Sequence, residues 1–338
     1  MIELSGLTKR YGEKTAVDDL TFSVRPGIVT GFLGPNGAGK STTMRMMLGL
    51  DNPTAGDVRI DGKHYAQLKD PLRHIGALLD AKAMHGGRSA YNHLLCLAQS
   101  NGIPKTRVHE VLDTVGLTAV ARKKAKGFSL GMGQRLGIAG ALLGDPRILM
   151  FDEPVNGLDP EGIHWIRNLM KSLAAAGRTV FVSSHLMSEM ALTADHLVVI
   201  GQGRLLADMS MPDFIRRNSR SYVRLRSPQR ERLLDVLHDA GITVVESGDA
   251  LEVDGHPAEE LGELAARNQI VLHELSPQQA SLEEAFMQLT AESVEYHAHT
   301  DAPDRYDLQN PQPPQDPQQP GWGSSWKQAK HANRQKGA

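Results

Sequence analysis

Cysteine and long apolar runs are the two features that this sequence most clearly lacks. Cys96 is the only cysteine in 338 residues, so the chain cannot form an internal disulfide, which fits a reducing cytoplasm. No apolar run approaches the roughly 20 residues that a membrane-spanning helix requires. Residues 1–5 have neither the basic start nor the apolar stretch of a secretion signal. If the protein moves a solute across a membrane, we expect another chain to form the path.

An excess of charge of one sign is also missing. The 37 Lys and Arg residues nearly balance the 39 Asp and Glu residues, for a formal net charge of −2. No overall attraction therefore draws the chain to nucleic acid or to an anionic membrane, and we expect no nucleic-acid partner. Hydrophobic residues make up 40% and charged residues 22%, as in an ordinary globular protein, and the length allows two domains or one large domain with appendages.

Short apolar segments alternate with helical patterns over residues 1–210. The predicted strands are residues 28–33, 147–151, 179–182 and 196–200. Apolar strands separated by helical segments are typical of an α/β domain with a largely parallel sheet. Residues 91–143 have mostly helical patterns, which predicts a helical insertion between the first two of these strands.

The pattern changes after residue 220, where shorter strand and helix patterns predict a small α+β accessory domain over residues 221–290. The predicted strands are residues 222–226, 242–245, 251–253 and 270–275, and the predicted helices are residues 231–240 and 258–268. Ser281 and Glu284 have the spacing of a capping box, so we expect them to open the last helix of this domain.

Residues 291–338 are predicted to form a disordered tail. Residues 301–338 contain six prolines and seven glutamines and almost no aliphatic side chains. Such a segment cannot bury enough apolar area to offset the entropy that it would lose on ordering. Trp322 and Trp326, with the basic residues after them, could favour a membrane interface. No amphipathic period accompanies them, so a solvated tail is the better prediction.

A glycine-rich segment follows the first of the predicted strands and matches the pattern G-x-x-x-x-G-K-[ST]. Its residues are Gly34, Pro35, Asn36, Gly37, Ala38, Gly39, Lys40 and Ser41, with Thr42 next on a helical pattern. Glycines allow successive backbone N–H groups to point at an anion, and the helix dipole favours the same charge. Lys40 can then reach the β- and γ-phosphates, and the Ser41 hydroxyl can bind Mg²⁺. The pattern predicts a nucleotide-binding loop; the alternative is a chance glycine-rich turn.

Two adjacent acids, Asp152 and Glu153, follow the predicted strand at residues 147–151. A buried strand would deliver Asp152 beside the phosphates, where it can bind Mg²⁺. Glu153 lies one residue further and can orient or deprotonate an attacking water molecule. An isolated Asp-Glu pair would more often be an acidic turn, but the phosphate loop upstream favours the catalytic interpretation. We therefore predict Glu153 and Lys40 as catalytic residues.

The segments around this acidic pair resemble the ATP-binding-cassette superfamily. Asp152-Glu153-Pro154 continues into Asn156-Gly157-Leu158-Asp159-Pro160, and Ser183-Ser184-His185 follows the next predicted strand. The resemblance covers about residues 1–208 and implies a P-loop NTPase cassette with a β-subdomain and a helical insertion. It also implies hydrolysis of ATP with Mg²⁺ by a dimer of cassettes. In that dimer Asp159 would couple the two copies and His185 would contact the γ-phosphate. Considered alone, His185 would more often be a cap or surface residue.

A variant signature segment precedes the acidic pair. Residues 128–135 are similar to the family's L-S-G-G-Q signature, although Leu130 replaces its first glycine and a methionine replaces its glutamine. By this resemblance Ser129, Gly131 and Gln134 contact the γ-phosphate of the nucleotide that the opposite subunit binds. The hydroxyl and N–H groups at a helix start suit that role. We expect a working but variant signature.

The resemblance assigns two further positions. Tyr11 corresponds to the aromatic residue that stacks on adenine, a contact that contributes about 1 kcal/mol. An aromatic residue at a strand end is otherwise more often a packing residue. Asp80 aligns with the family's glutamine that senses Mg²⁺ and the attacking water. A carboxylate can bind Mg²⁺ but adds negative charge beside the triphosphate, so Asp80 is either a metal ligand or a position that has lost this duty.

The subfamily resemblance points to exporters. Asp80, the Ser-Leu-Gly-Met signature and the segment Ser281-Leu282-Glu283-Glu284-Ala285-Phe286 are similar to exporter ATPases of the antibiotic-resistance type, such as those for bacitracin or daunorubicin. This resemblance covers residues 1–290 and implies a separately encoded polytopic membrane permease, which residues 81–95 would contact. The protein would then be cytoplasmic and peripheral on the inner face of the plasma membrane.

Other functional classes remain as alternatives. A soluble cassette ATPase acting on ribosomes or DNA would share the motor residues. Ribosomal cassette proteins usually carry two cassettes in one chain, however, and residues 40–129 leave no room for the long coiled coil of DNA-repair relatives. A regulator that binds nucleotide without hydrolysis is disfavoured because Lys40, Asp152, Glu153 and His185 are all present. The sequence contains no Asn-Lys-x-Asp motif for reading guanine, which argues against a GTPase.

Overall fold

The computed structural model of the chain describes residues 1–81, 83–218, 221–278 and 282–290. Ser281 and residues 291–338 lie outside this set, so the capping box, the disordered tail and its membrane hypothesis stay predictions. The described residues belong to one compact unit. None of the helices within them is long and apolar enough to cross a membrane.

The described residues contain thirteen strands and eleven α-helices, besides three short 3-10 helices. The strands are β1 (Ile2–Tyr11), β2 (Lys14–Val24), β3 (Val29–Leu33), β4 (Ala55–Ile60), β5 (Ile75–Leu78), β6 (Ile148–Asp152), β7 (Thr179–Ser183), β8 (His196–Gly201), β9 (Arg204–Ser210), β10 (Tyr222–Arg226), β11 (Val244–Ser247), β12 (Ala250–Asp254) and β13 (Glu274–Gln278). The helices are α1 (Lys40–Met47), α2 (Pro71–His74), α3 (Ala90–Ser100), α4 (Lys105–Thr114), α5 (Leu130–Leu142), α6 (Pro160–Ala175), α7 (Met187–Thr193), α8 (Met211–Asn218), α9 (Arg230–Asp239), α10 (Ala258–Arg267) and α11 (Leu282–Thr290).

A six-stranded sheet in the order β5-β6-β7-β3-β8-β9 forms the centre of the first part of the chain. Its neighbouring strands are parallel except for β8 and β9, which pair antiparallel. The predicted α/β fold with a largely parallel sheet is confirmed. The four predicted core strands correspond to β3, β6, β7 and β8, with bounds shifted by about one residue.

The inner strands of this sheet are buried on both faces, which explains why they are mostly apolar, whereas the edge strand β9 carries the exposed Arg204 and Asp208. In β6, Leu149 and Phe151 belong to a core that they share with the helices α3 to α7. Ile148 and Met150 of the same strand belong to a second core with α1, β1, β2 and β4. Alternate side chains of a strand point to opposite faces, so one apolar run contributes to both cores.

A second sheet has the antiparallel order β2-β1-β4 and corresponds to the β-subdomain that the resemblance implies. Ile2 and Leu4 of β1 are buried, as two-residue alternation requires. The alternation then breaks at Gly6, where φ is 58° and the pairing register with β2 shifts before Leu7. This bulge hides the strand period in the sequence.

The helices α3, α4 and α5 form the predicted helical insertion between β5 and β6. Ser89 starts α3 as its N-cap, since its Oγ accepts a hydrogen bond from the backbone N–H of Asn92 at 3.1 Å. Leu94, Val108 and Leu136 contribute one buried side chain from each helix to the core beneath the central sheet. The insertion is therefore continuous with that core.

A third sheet, in the antiparallel order β11-β12-β10-β13, forms the predicted accessory fold. Its own core joins Val223 and Leu225 of β10 to Leu233 of α9 and Leu261 of α10. The expected strand at residues 270–275 is wrong, because β13 covers Glu274–Gln278 instead. That segment contains a proline, which an edge strand tolerates because its outer N–H groups are not needed for pairing.

The helix α11 packs away from the core of the third sheet. Leu282, Ala285 and Phe286 belong to the core of the central sheet, where α11 contacts α7 and α8. The predicted accessory domain of residues 221–290 thus differs from the observed packing in its last helix. An amphipathic period predicts that a helix has a buried face, but it does not predict which core that face joins. The remaining domain boundaries stay predictions.

Candidate functional site

The carboxyl ends of the parallel strands bring three loops to one edge of the central sheet. β3 leads into the glycine-rich segment, β6 ends at Asp152 and β7 ends at Ser183. Ser183 is paired in register with Asp152 on one side and with Phe32 on the other, so the three strand ends lie level. Polar residues that follow neighbouring parallel strands therefore meet at this edge, where α/β sheets usually bind ligands.

A cleft of about 690 Å³ opens at this edge. Its lining residues are Tyr11, Lys14, Ala16, Asn36, Gly37, Ala38, Gly39, Lys40, Ser41, Thr42, Leu79, Asp80, Ala81, Leu130, Gln134, Asp152, Glu153 and Asn156. The volume lies in the range of small-molecule sites, roughly 300–1,000 Å³. The structure thus brings most of the predicted site residues together. Those outside this lining are Gly34, Pro35, Ser129, Gly131, Asp159 and His185.

The glycine-rich segment has the backbone that an anion cradle requires. Gly37 and Gly39 have positive φ angles of 82° and 99°, which residues other than glycine rarely adopt. A Cβ on Gly39 would also overlap the carbonyl oxygen of Ala16, and a Cβ on Gly34 would lie 2.5 Å from the carbonyl oxygen of Ile200. α1 begins directly after Gly39, so the free N–H groups and the positive dipole end of this helix lie at the cleft.

Lys40 supplies a buried positive charge to the cleft. The residue is 9% exposed, and its Nζ donates to the carbonyl oxygens of Gly34 at 2.5 Å and Pro35 at 3.1 Å. Burial lowers the pKa of Lys40, while the nearby carboxylates of Glu153 and Asp152 act in the opposite direction. An ammonium group held in this way can also donate to a phosphate, whose negative charge would offset part of the cost of burial.

Ser41 and Asp152 place two oxygen atoms side by side. Ser41 Oγ donates to Asp152 Oδ2 at 2.9 Å. Ser183, at the end of β7, donates through its hydroxyl to Oδ1 of Asp152 and accepts from the backbone N–H of Glu153 at 3.0 Å. A hydroxyl and a carboxylate are hard oxygen ligands of the kind that Mg²⁺ prefers. The residues present therefore fit a Mg²⁺ ion at this point of the cleft.

Glu153 and His185 form a second polar pair beside the cleft. Glu153 has a φ of 50°, a conformation that persists in a residue other than glycine only when surrounding contacts hold it. Its Oε2 lies 2.7 Å from His185 Nδ1 and accepts from the backbone N–H of His185 at 3.3 Å. The side chains are 23% and 51% exposed, so both can reach a bound molecule. A carboxylate and an imidazole are the groups that most often transfer protons in active sites.

Tyr11 and Asp80 both line the cleft, as predicted for a nucleotide site. Tyr11 is 51% exposed, its hydroxyl donates to Asp51 Oδ2 at 3.4 Å, and Lys9 Nζ lies 5.0 Å from the centre of its ring. An exposed ring in this position is available to stack on a flat ligand. Asp80 lies two residues beyond the end of β5. Its contact with a metal stays a prediction.

The signature segment lies at the start of α5. Ser129 is the N-cap of α5, and its Oγ accepts from the backbone N–H of Met132 at 3.2 Å. Gln134 is 3% exposed, and its Nε2 donates to the carbonyl oxygen of Glu153 at 3.0 Å. This buried bond gives Gln134 a role inside its own chain, and its contact with the nucleotide of an opposite subunit stays a prediction. The contacts of Ser129 and Gly131 stay predictions.

Two residues have structural contacts that sequence reasoning did not assign. Asp159 is the N-cap of α6, since its Oδ1 accepts from the backbone N–H of Gly162 at 3.0 Å, and its coupling role stays a prediction. Ser183 bonds to both acids of the cleft, a role that its place in the segment Ser183-Ser184-His185 does not indicate. The signal that could have found Ser183 is the one that identified Asp152, a polar residue at the end of an apolar strand.

Comparisons with known proteins agree with this geometry. The model of the ABC transporter family matches residues 17–156. The chain is 38% identical to the uncharacterized ABC transporter ATP-binding protein YhcH of Bacillus subtilis (strain 168), over 88% of this chain and 99% of that protein. The chain belongs to the ABC transporter family. The model of a second family, a domain of unknown function, matches residues 221–283 of this chain.

Other ABC transporter proteins are similar over much of their length. The bacitracin transport ATP-binding protein BcrA of Bacillus licheniformis is 38% identical over 86% of this chain and 97% of that protein. A dimeric structure of a post-hydrolysis state of the ATP-binding cassette MJ0796, bound to ADP and Pi, has a TM-score of 0.57 and 26% identity, covering 62% of this chain and 99% of that chain. The predictions of a cassette fold and of an ATP-binding, ATP-hydrolysing ABC transporter subunit are confirmed. The alternative of a soluble ATPase without a permease is not favoured.

Proposed function

We propose that this ATPase drives export of an antibiotic-type cargo through a separately encoded polytopic permease, at the cytoplasmic face of the plasma membrane. Two copies of the chain act together on two ATP molecules. The observation that carries the proposal is the single cleft in which the glycine-rich segment faces Asp152 and Glu153. Similarity to the bacitracin transport protein over 86% of this chain supports the class of cargo.

The phosphates of ATP bind to the glycine-rich segment and the start of α1. The backbone N–H groups of residues 36–42 and the ammonium group of Lys40 donate to the phosphate oxygens, and the helix dipole adds to the attraction. The adenine ring stacks on Tyr11, which is half exposed at the same cleft. The location of these residues in one cavity supports this arrangement.

Ser41 and Asp152 would hold the Mg²⁺ ion that accompanies ATP. The ion would supply positive charge that offsets the negative charge of the phosphates. The 2.9 Å bond between the serine hydroxyl and the carboxylate supports this assignment, because both oxygens already lie at one point. Asp80 lines the same cleft and would be a third oxygen ligand if its carboxylate serves in place of the family's glutamine.

Glu153 orients the attacking water and accepts its proton. Its carboxylate is partly exposed, and its backbone is anchored at both ends, by Ser183 Oγ at the N–H and by Gln134 Nε2 at the carbonyl. His185 holds the same carboxylate through Nδ1 and its backbone N–H. The other ring nitrogen of His185, Nε2, would be the atom that contacts a phosphate oxygen.

The second copy completes each site. Ser129 and Gly131 lie at the first turn of α5, where the free N–H groups of a helix can bind the γ-phosphate of the nucleotide in the partner copy. Asp159, at the start of α6, lies in the loop that would transmit closure between copies. The dimeric state of the related cassette MJ0796 supports a paired arrangement.

A second cleft supports contact with a permease. It has a volume of about 520 Å³ and is lined by Met84 and His93, from the segment predicted to contact the permease, together with Leu72 and Leu97. Asp80 and Leu79 line both this cleft and the nucleotide cleft. A cytoplasmic helix of the permease seated here would lie next to the residues that respond to nucleotide.

Replacement of Glu153 with glutamine tests the hydrolytic mechanism. The amide keeps the size of the side chain but cannot accept a proton, so we expect kcat to fall by about 10²- to 10⁴-fold. The affinity for ATP should stay within roughly threefold, because the phosphate loop is unchanged. Phosphate release and equilibrium nucleotide binding measure the two quantities on the full chain.

Glu161→Gln provides the matched control, since Glu161 is an exposed glutamate in the first turn of α6. Its kcat should equal that of the unmodified chain. With ATP bound, Glu153→Gln should also accumulate as a dimer, which size-exclusion chromatography with light scattering detects. Normal turnover in Glu153→Gln would remove Glu153 as the catalytic base.

A further inference from the structure

Leu130 packs against a glycine of the loop that contains the catalytic carboxylate. It is the first residue of α5, it lines the nucleotide cleft and it is 53% exposed. A Cβ built on Gly157 would overlap Cγ and Cδ2 of Leu130 and would lie 3.0 Å from its Cβ. The buried half of Leu130 therefore occupies the space that a side chain at residue 157 would fill.

Two further contacts join the same face of α5 to this loop. A Cβ built on Gly131 would lie 2.7 Å from the carbonyl oxygen of Gly157 and 3.6 Å from Cδ2 of Leu158, so the two backbones are close. One turn later, Gln134 Nε2 donates to the carbonyl oxygen of Glu153 at 3.0 Å. Residues spaced three and four apart on a helix share one face. This face of α5 therefore contacts the loop of residues 153–159 at both its start and its middle.

The loop is turned by backbone hydrogen bonds from the N–H of Asn156 to the carbonyl oxygen of Glu153 and from the N–H of Leu158 to that of Val155, whose side chain is buried. It begins at Glu153, whose φ is 50°, and it ends at Asp159, the N-cap of α6. Gly157 has a φ of 75°, a conformation that favours glycine. Because glycine has no side chain, Gly157 cannot anchor this turn by its own packing. Leu130 supplies an apolar contact at that position from a neighbouring element. The contact links the position of Glu153 to the start of the signature helix.

We propose that Leu130 is a positioning residue for hydrolysis: it holds the loop of residues 153–159 against α5 and so keeps Glu153 in its catalytic position. This inference rests on the proposed role of Glu153 as the base. A displacement of about 1 Å in a catalytic group can lower the rate about 100-fold, so loss of one of three contacts should be visible in kcat. The phosphate loop is a separate element, so the KM for ATP should change little.

A double-mutant cycle on the full chain tests this positioning role. Leu130→Gly should lower kcat about fivefold to 20-fold with KM for ATP within about twofold, because only the loop contact is lost. Gly157→Ala should lower kcat at least about tenfold, since the new Cβ collides with Leu130 and the positive φ is strained. In the double variant the collision is absent, so the added effect of Gly157→Ala should shrink at least about fivefold.

Matched variants separate this effect from a general loss of apolar surface. Leu192→Ala removes a leucine that is also 53% exposed, on α7, and should leave kcat within about twofold of the unmodified chain. Leu130→Ala retains a good helix former while removing Cγ and both Cδ atoms, so it replaces Leu130→Gly if thermal unfolding shows that the glycine variant does not fold. It should reproduce the fall in kcat.

The possible results distinguish the positioning role from the proposed function. If the chain hydrolyses ATP and the fall in kcat of the double variant equals the product of the falls in the two single variants, the two residues are not coupled. That result would overturn the role of Leu130 but not that of Glu153. A rise in kcat for Leu130→Gly, which restores the usual signature glycine, would also overturn it. Absence of ATP hydrolysis by the unmodified chain would overturn the role of Glu153 and, with it, this inference. A fall in kcat at unchanged KM together with coupling to Gly157 supports it.

Discussion

Replacement of Gln134 with methionine tests whether the signature helix holds the catalytic loop from within its own chain. Methionine has a similar length and shape to glutamine but no N–H donor. The change would leave the carbonyl oxygen of Glu153 without the bond that it accepts at 3.0 Å. Gln134 is 3% exposed, so bulk water has little access to replace the lost donor. The Ser183 hydroxyl would still accept from the Glu153 N–H.

The expected loss of stability follows from the burial of this bond. An unsatisfied buried acceptor costs about 1–3 kcal/mol. Burial of the methionine thioether in place of an amide offsets part of this cost, so we expect the free energy of unfolding to fall by about 1–2 kcal/mol. For a unit of this size each kcal/mol lowers Tm by about 2–4 °C, which gives a fall of about 2–8 °C.

Catalysis should be affected more strongly than stability. Glu153 has a φ of 50°, a conformation that costs about 1–3 kcal/mol and persists because its neighbours hold it. Without the Gln134 bond the residue can relax toward negative φ, which would turn its carboxylate away from the attacking water. We expect kcat to fall at least about tenfold, with the affinity for ATP unchanged.

Thermal unfolding, steady-state phosphate release and equilibrium ATP binding measure these effects in the full chain. Gln99→Met is the matched control, because Gln99 is exposed on α3 and its replacement should alter none of the three. If Gln134→Met retains the Tm and kcat of the unmodified chain, the buried bond does not position Glu153. If it retains Tm but loses ATP-dependent dimerisation, the result would support the contact with an opposite subunit that the resemblance predicts.

Two other substitutions examine separate parts of the site. Lys40→Ala should weaken ATP binding about 10- to 150-fold, because the phosphates lose a charged hydrogen-bond donor. Replacement of the exposed Lys171 with alanine is the control and should leave the affinity for ATP unchanged. Equal affinities of the two variants by isothermal titration would count against the anion cradle. Burial, together with the charges of Arg88 and His85, lowers the pKa of His93, whose Nδ1 is buried without a partner among the described residues. The unfolded state therefore binds more protons just below the ordinary value of 6.5, so stability should fall as the pH drops below that value. His93→Gln should lose this part of the acid dependence, and an identical slope of Tm against pH in both proteins would refute the assignment.

The elements that carry the chemistry were the easiest to predict from sequence. β3, β6, β7 and β8 are buried on both faces, so each appears as a mostly apolar run with clear ends. Polar residues just after such runs are constrained to the carboxyl edge of the sheet. For this reason Ser41 and Asp152, which are 111 residues apart in sequence, could be expected to meet, and they do so at 2.9 Å.

The strands that were hardest to predict lack a regular alternation of apolar and polar residues. The bulge at Gly6 interrupts the alternation of β1, so the pattern does not reveal a ten-residue strand. Ile270 is buried as part of a connection, and the strand itself begins at Glu274 and contains Pro277. The apolar side chain of Ile270 indicates that this residue is buried, but it does not indicate that the residue belongs to a strand. The final position of α11 depends on long-range packing, which no local pattern encodes.

The direction of each side chain on α5 is a property that the resemblance does not predict. The segment Ser129-Leu130-Gly131-Met132-Gly133-Gln134 has no apolar stripe that would show which face packs inward, because two of its positions are glycine. A resemblance transfers the chemistry of the whole segment, whereas packing decides which residues are internal. Gly131 and Gly157 allow the two backbones to approach, and this approach turns Leu130 and Gln134 toward the loop of their own chain. Ser129 remains at the helix start, where its N-cap position leaves the first N–H groups of α5 for a phosphate. One helix can therefore hold its own catalytic carboxylate with one face while its end serves the site of a second copy.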